Sequence, residues 1–392
     1  MDKRSIPNPT GNPLHAVQEP DELPGLYIHI PFCLRKCAYC GFYSITDRSL
    51  IPAFRSALRR EMALYRGWAA SFDTLYIGGG TPSILPEGDL EGLIADIRTA
   101  FTIATDAEIT VEANPADITE SLLASLRRSG VNRLNIGIQS FNDGILAFLG
   151  RRHNQKQAEE AIAAARRAGI ENIGIDLIYG VPGQSMDVWL STLRAAVALT
   201  PDHLSCYQLT LEEGTPLAER CSRGEVVLPE ETVQADFFCN TSKFLEENSY
   251  LHYEVSNFAR PGRESRHNGK YWNHTHYLGL GPAAHSFDGR RRWWNHRSVK
   301  TYRENLAAGK TPVIDSELLT DEQLRLEALF LGFRTRKGVD LEGYQRRYHF
   351  DLLTEKGKMI RYLTDEGLAE IRDGFLRPTR NGMAVADSLA LI

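Results

Sequence analysis

No run of about 18 consecutive apolar residues occurs in this chain of 392 residues, so no segment is long and apolar enough for a membrane-spanning helix. Nor is there a basic excess. Lys and Arg number 45 against 50 Asp and Glu, a net charge of −5 at pH 7, which argues against a generally nucleic-acid-binding protein and leaves only local basic patches. The opening run Met-Asp-Lys-Arg-Ser-Ile-Pro-Asn-Pro lacks the apolar core of a secretory signal. It is polar and Pro-rich, and residues 1–24 are expected to form a flexible leader. Cysteine is scarce too. Six residues, three of them clustered, suit a reducing cytoplasm better than a disulfide scaffold.

What the chain does have is Cys33, Cys37 and Cys40 at C-x3-C-x2-C spacing, in the run Ile-Pro-Phe-Cys-Leu-Arg-Lys-Cys-Ala-Tyr-Cys. A structural zinc site is normally closed by four protein ligands, and an electron-transfer iron–sulfur cluster is usually held by four Cys. Three leave one metal corner open for a substrate or cofactor. Buried small hydrophobes or disulfide partners would be the plainer reading, but they do not account for so tight a spacing beside the pocket residues described below. Cys206, Cys221 and Cys239 are scattered and read as structural thiols.

The length exceeds the usual single-domain range, so two domains are expected. From residue 25 to about 256, short β-rich runs alternate with amphipathic helical patterns, the mark of parallel βα units. The expected strands are Leu26–Ile30, Thr74–Ile77, Glu108–Val111, Arg133–Ile138, Asn172–Ile178 and His203–Leu209. Arg127–Ile138 and Arg166–Ile175 read alike, each with a Gly after the last basic turn of a helix, where a left-handed cap is expected. Ile118, Leu122 and Leu126 form an apolar stripe expected to pack on the sheet. Six such units make an α/β fold, a partial or full (β/α) barrel, with chemistry in the loops after the strands; the cysteine loop follows the first strand directly. After about Asp315, Leu326, Leu329, Phe330 and Phe333 repeat at helical spacing. Leu368–Ile371 and Phe375–Arg377 then flank Asp373-Gly374 as a hairpin with a type I′ turn. The domains expected are a core at 25–256, a basic-aromatic extension of it at 257–314, and a smaller α+β, winged-helix-like domain at 315–392 that serves packing rather than DNA reading.

Tyr76-Ile-Gly-Gly-Gly-Thr-Pro-Ser83 ends the second strand, where consecutive glycines allow close backbone approach. Later strand ends each deliver a polar residue awkward to bury alone: Glu112, Gln139 and Asp176. A carboxylate suits ribose hydroxyls or an ammonium group, and Arg151 suits a carboxylate. Tyr-x-His-x-Pro-Phe-Cys-x3-Cys-x-Tyr-Cys, Gly-Gly-Gly-Thr-Pro, Val-Glu-Ala-Asn-Pro, Gly-Ile-Gln-Ser-Phe and Ile-Asp-Leu-Ile-Tyr-Gly together resemble the HemN/HemW group of radical S-adenosylmethionine (SAM) proteins, over about residues 24–290. The resemblance implies a partial (β/α) barrel of the radical SAM type. It implies a 4Fe-4S cluster on Cys33, Cys37 and Cys40, with Tyr27, Gly79, Gly80, Thr81, Glu112, Gln139, Arg151 and Asp176 at the SAM-contacting positions. It also implies an outside one-electron donor, such as flavodoxin or ferredoxin, and SAM cleavage to methionine and a 5′-deoxyadenosyl radical.

The coproporphyrinogen dehydrogenase branch extends the loop to C-x3-C-x2-C-x-C, where this chain has Phe42. The HemW branch, haem chaperones, has Phe there and an H-N-x-x-Y-W motif, present here as His267-Asn-Gly-Lys-Tyr-Trp272. The resemblance is therefore closer to HemW, and implies a protein that binds haem as cargo and delivers it to a haem-requiring recipient. Residues 260–303 hold ten Lys or Arg against only Glu264 and Asp288, with five of the eleven His and three of the five Trp. Such a segment offers a porphyrin an aromatic wall, cations for its propionates and an axial ligand. His267 is the first candidate by motif, with His274, His276 and His285 as competitors. Single-stranded nucleic-acid binding matches the same composition, but no RNA-binding module accompanies it, and no nucleic acid is expected. Oxidative decarboxylation of coproporphyrinogen III and radical SAM methyl transfer stay open as alternatives.

Overall fold

The computed structural model describes residues 22–391, so the expected leader at 1–24 falls almost wholly outside the described residues. Six parallel strands form the centre: β1 (Gly25–Ile30), β2 (Phe72–Gly79), β3 (Ile103–Ala113), β4 (Arg133–Gln139), β5 (Asn172–Tyr179) and β6 (His203–Gln208). Their sequences alternate. In β4, Leu134, Ile136 and Ile138 are buried in the core that also holds Leu126, Ala158 and Ile162 of the crossover helices, while Arg133, Asn135, Gly137 and Gln139 occupy the alternate face and line a cavity. This period-two pattern follows from strand geometry, with one difference from an ordinary barrel. Here the inward set is polar or glycine, so the interior is hollow rather than packed with branched side chains.

The two similar stretches end their helices alike. Gly130 and Gly169 have φ of 81° and 78°, the residues after them bond back to Leu126 and Ala165, and Cβ-free backbone is what this cap requires. Helix Glu120–Arg128 buries Leu123 and Leu126. Ile118 precedes that helix and, like Leu122, packs only at the margin of the core. The expected stripe is thus shifted, because the chain from Pro115 to Asp117 forms a 3-10 turn before the α-helix begins.

Four further strands follow the six on one side and two on the other. β8 (Asn257–Ala259) pairs antiparallel with β6, and β7 (Leu251–Glu254) antiparallel with β8 at the sheet's edge. β9 (Tyr277–Leu280) pairs parallel with β1, and β10 (His285–Phe287), β11 (Arg291–Asn295) and β12 (Val313–Leu318) continue antiparallel to a 12-stranded open sheet. Glu61, on helix Ile51–Leu64, fastens this extension. Fully buried, it accepts hydrogen bonds from Gly281 N (2.8 Å), Asn295 Nδ2 (2.6 Å) and the Tyr302 hydroxyl. Burial pushes its carboxyl up to about 7, against the pull of those three donors.

The C-terminal part has its own core, including Leu329, Phe333, Leu352, Ile360 and Leu376. Helices Asp321–Phe333, Leu341–Tyr348 and Leu352–Asp365 pack with a small sheet of β13 (Val339–Asp340), β14 (Ala369–Arg372) and β15 (Phe375–Pro378). Asp373 and Gly374, at φ of 52° and 80°, make the hairpin turn with both central residues left-handed, as type I′ demands. Arg292–Glu327 at 2.7 Å ties it to the larger sheet and Arg336–Glu246 at 2.7 Å to helix Glu231–Glu247. Among the described residues, no helix is long and apolar enough to cross a membrane.

Glu61→Ala leaves three donors without their acceptor, at about 1–3 kcal/mol for each buried group left unpaired. Urea unfolding is expected to show a loss of about 3 kcal/mol or more.

Candidate functional site

Phe32 anchors the cysteine loop. Its ring is fully buried edge-on to Phe54 (centroids 5.4 Å apart), and the loop closes at its base through Cys33 N to Ile45 O (3.0 Å) and Ile45 N to Pro31 O (2.9 Å). The glycine-rich turn runs alongside, with Gly80 N bonded to Ile30 O and Thr81 N to Phe32 O, both at 2.8 Å. A Cβ on Gly80 would lie 2.6 Å from Phe32 O, and one on Gly79 2.6 Å from the His29 ring. These glycines therefore serve first to bring two loops together.

All three clustered cysteines are unpaired and half-buried, and all line one cavity of about 730 Å3. The Thr81 hydroxyl lies 3.4 Å from Cys33 Sγ, and Arg151 Nη1 donates to Cys37 Sγ at 3.6 Å. These contacts fix two of the three thiols at the cavity wall, and burial raises the pKa of the third, Cys40. Among the described residues, no three His, Cys, Asp or Glu side chains converge on a single-ion site. Iron–sulfur clusters are held by Cys thiolates, and Cys33, Cys37 and Cys40, unpaired and lining one cavity, would be the residues to hold one. Phe42, 69% exposed, stands on the cavity rim.

Gly79, Gly80, Thr81, Glu112, Gln139, Arg151 and Asp176 line the same cavity. Glu112 accepts from the Tyr76 hydroxyl (2.8 Å) and from Gly79 N (3.1 Å). Burial and then the charge of Asp176 push its carboxyl up to about 7, against Tyr76, Gly79 and Arg133. Asp176 is raised as well, chiefly by burial; one oxygen accepts from Asn135 (2.8 Å) and the other has no partner. Gln139 holds φ of 72° at a bulge in β4, an uncommon conformation for a residue with a side chain. A Cβ on Gly137 would stand 3.1 Å from Gln139 Nε2 and 3.3 Å from Arg151 Nη2, so that inward glycine makes room for both.

Two expected residues make contacts of their own. The Tyr27 hydroxyl bonds His29 Nδ1 (3.1 Å), whose Nε2 donates to Tyr43 O (2.8 Å). The Tyr27 ring lies on the inward face of β1, half-buried, with its centroid 6.1 Å from that of Tyr76, which lines the cavity. His267 is 1% exposed, with Nδ1 on the Thr74 hydroxyl (2.8 Å) and Nε2 on the Tyr271 hydroxyl (3.0 Å). Both ring nitrogens are occupied, so His267 as placed is not an iron ligand. The motif is instead a plug: helix Arg266–Trp272 closes the amino-terminal end of the barrel. Glu108 accepts from Arg266 N and His267 N, at 3.2 and 3.1 Å, and Lys270 pairs with Asp73 at 2.7 Å. Asn268 alone of the motif lines the cavity, joined there by Arg133, Asn135, His203 and Ser205, which the motifs did not single out. Strand alternation is the signal that finds them, since each falls on an inward position.

Residues 27–196 match the Radical SAM superfamily and residues 319–385 the HemN C-terminal domain. Heme chaperone HemW of Mycobacterium tuberculosis is 39% identical over 342 residues, covering 83% of this chain and 87% of that protein. The Bacillus subtilis heme chaperone HemW is 33% identical over 368 residues, 93% and 97% of the two chains. The mitochondrial radical S-adenosyl methionine domain-containing protein 1 of Bos taurus is 33% identical over 390 residues, 93% and 86%. Among solved structures, coproporphyrinogen III oxidase (HemN) from Escherichia coli superposes with a TM-score of 0.82 at 26% identity, covering 94% of this chain and 90% of that one.

Fold and site together define a radical SAM protein, a class whose chemistry uses a 4Fe-4S cluster and SAM. Within that class, the chain belongs to the HemW family of heme chaperones.

Because the Glu112 carboxyl is raised, the folded state holds its proton in a window, from about 4.5 to about 7, where the unfolded chain has released it. Its stabilising contribution is full at low pH and lost as pH rises through about 7. Glu112→Gln is therefore expected to be more stable than the parent at pH 8 by on the order of 3 kcal/mol and equal to it near pH 4, measured as a difference in urea midpoints without ligands.

Proposed function

We propose that this chain binds haem and passes it to a haem-requiring protein, using a 4Fe-4S cluster on Cys33, Cys37 and Cys40 and SAM beside it. One observation carries this reading: three unpaired thiols share a single cavity with Glu112, Gln139, Arg151 and Asp176. The two carboxylates suit the ammonium group and ribose hydroxyls of SAM, Arg151 suits its carboxylate, and the backbone of Gly79 to Thr81 lies close enough to receive it. The cluster, when bound, supplies the electron that cleaves SAM. A small one-electron carrier such as flavodoxin or ferredoxin would reduce it, and the unpaired cysteines suit a reducing cytoplasm.

For the haem ligand, His285 replaces His267 as first candidate. His285 is exposed, its ring makes no hydrogen bond among the described residues, and it stacks on Trp294 with ring centroids 5.6 Å apart. Partial burial, then the charges of Arg292 and Arg297, lower its pKa, with Glu317 opposing; a neutral ring keeps the lone pair that iron needs. Arg297, which has no carboxylate partner among the described residues, is also a natural partner for a propionate, whereas Arg292 is held by Glu317 and Glu327. His274 is occupied by Tyr348 and Glu327. Arg297 donates to Gly41 O at 3.1 Å, which joins this surface to the cysteine loop.

Anaerobic reconstitution with iron and sulfide, followed by haem and SAM titration, tests the reading. Replacing any one of the three cysteines by Ala should remove the cluster absorbance and SAM cleavage. His285→Ala should lose or shift the haem spectrum. His267→Ala should keep that spectrum in its folded fraction while losing about 2–4 kcal/mol of stability, from two stranded hydroxyls. Absence of haem binding by the parent would refute the proposal, and conversion of coproporphyrinogen III to protoporphyrinogen IX would put the dehydrogenase reading in its place.

A further inference from the structure

Arg133 stands deep in the cavity, and the functions assigned above leave it unused. It is the first residue of β4 and 1% exposed, yet it lines the open space. Among the described residues, no carboxylate lies within 4.0 Å of its guanidinium and no group accepts a hydrogen bond from it; its Nε is buried without a partner. Arg55, equally buried, also has an unpartnered Nε, but its terminal nitrogens pair with Asp89 and Asp96; those of Arg133 have no such acceptor.

The surroundings are unsatisfied in the complementary sense. Asn135 Oδ1 and Asp176 Oδ1 are buried acceptors without donors, and His203 Nδ1 is also unpartnered. Space has been cleared for these side chains. A Cβ on Gly174 would lie 2.5 Å from Asn135 Oδ1 and 3.2 Å from Arg133 Nη2. The charges of Glu112 and Asp176 balance Arg133 from a distance, but a distant charge does not accept a hydrogen bond. Five N–H donors in a planar fork match a carboxylate in two-point contact.

We propose that Arg133 anchors a second subsite, beneath the position assigned to SAM, which binds the carboxylate of a further ligand. The proposal rests on the preceding functional reading for what fills the upper cavity. Asn135 Oδ1 would take a donor group of the same ligand. Two sources carry this chemistry, a free amino acid and the propionate of a tetrapyrrole.

The test uses the full chain, reconstituted and saturated with SAM. It is titrated with L-methionine against its methyl ester, and with haem against haem dimethyl ester. At least one acid is expected to bind about tenfold or more tightly than its ester, as a charged two-point contact requires, and which acid does so identifies the source. Arg133→Gln should abolish the preference and Arg133→Lys should retain part of it. If the parent prefers neither acid, the subsite does not exist, whether or not the variants fold. A preference that survives Arg133→Gln belongs to Arg292 and Arg297 and equally overturns the proposal. Failure of the parent to take up a cluster or SAM counts instead against the function proposed above, while the acid–ester comparison between parent and Arg133→Gln still reads the subsite alone.

Discussion

Two backbone hydrogen bonds of 2.8 Å, from Gly80 to Ile30 and from Thr81 to Phe32, set the register between the cysteine loop and the glycine-rich turn. A side chain at Gly80 would collide with the Phe32 carbonyl, so the contact exists only because that position is bare. From it follows the placing of the Thr81 hydroxyl on Cys33 and of the Gly79 amide on Glu112. A shift of one residue would turn every inward group of β2 to the helices, since successive strand residues face opposite sides.

The interior behind that contact departs from the usual economy of a parallel barrel. Outward residues such as Leu75, Val111, Ile136 and Ile175 supply the apolar core. Inward ones are Tyr76, Glu112, Asn135 and Asp176, with Gly78, Gly137 and Gly174 between them. The polar groups are expensive to bury, and burial raises the carboxyls of Glu112 and Asp176. A protein selected for stability alone would fill such a space with branched side chains. Polar and glycine residues kept at these inward positions are what a site for a charged cofactor requires.

Much of this was legible in the sequence because it is local. Strand periodicity, the helix-ending glycines at 130 and 169, and the Asp373-Gly374 turn all depend on neighbours along the chain, and the cysteine spacing is a local fact as well. What escaped depends on distant partners. Nothing in residues 277–280 announces that they pair with β1 rather than with a following strand, and nothing in His267 says that Thr74 and Tyr271 will occupy its two nitrogens. A histidine among aromatics and cations reads as a ligand until its neighbours in space are known.

The pairing of β1 with β9 has a consequence for how the molecule is made. β1 starts at residue 25 and its outer neighbour at residue 277, so during synthesis the strand that carries the cysteine loop keeps one edge open until more than two thirds of the chain has emerged. Contacts so far apart in sequence form late, and an unpaired edge is the place where a chain adheres to its neighbours. The plug helix lies between those two strands in sequence, so the floor of the barrel is closed at nearly the same moment as its side. A nascent chain would thus hold its three thiols on an unfinished wall until residues 277–280 have followed them out.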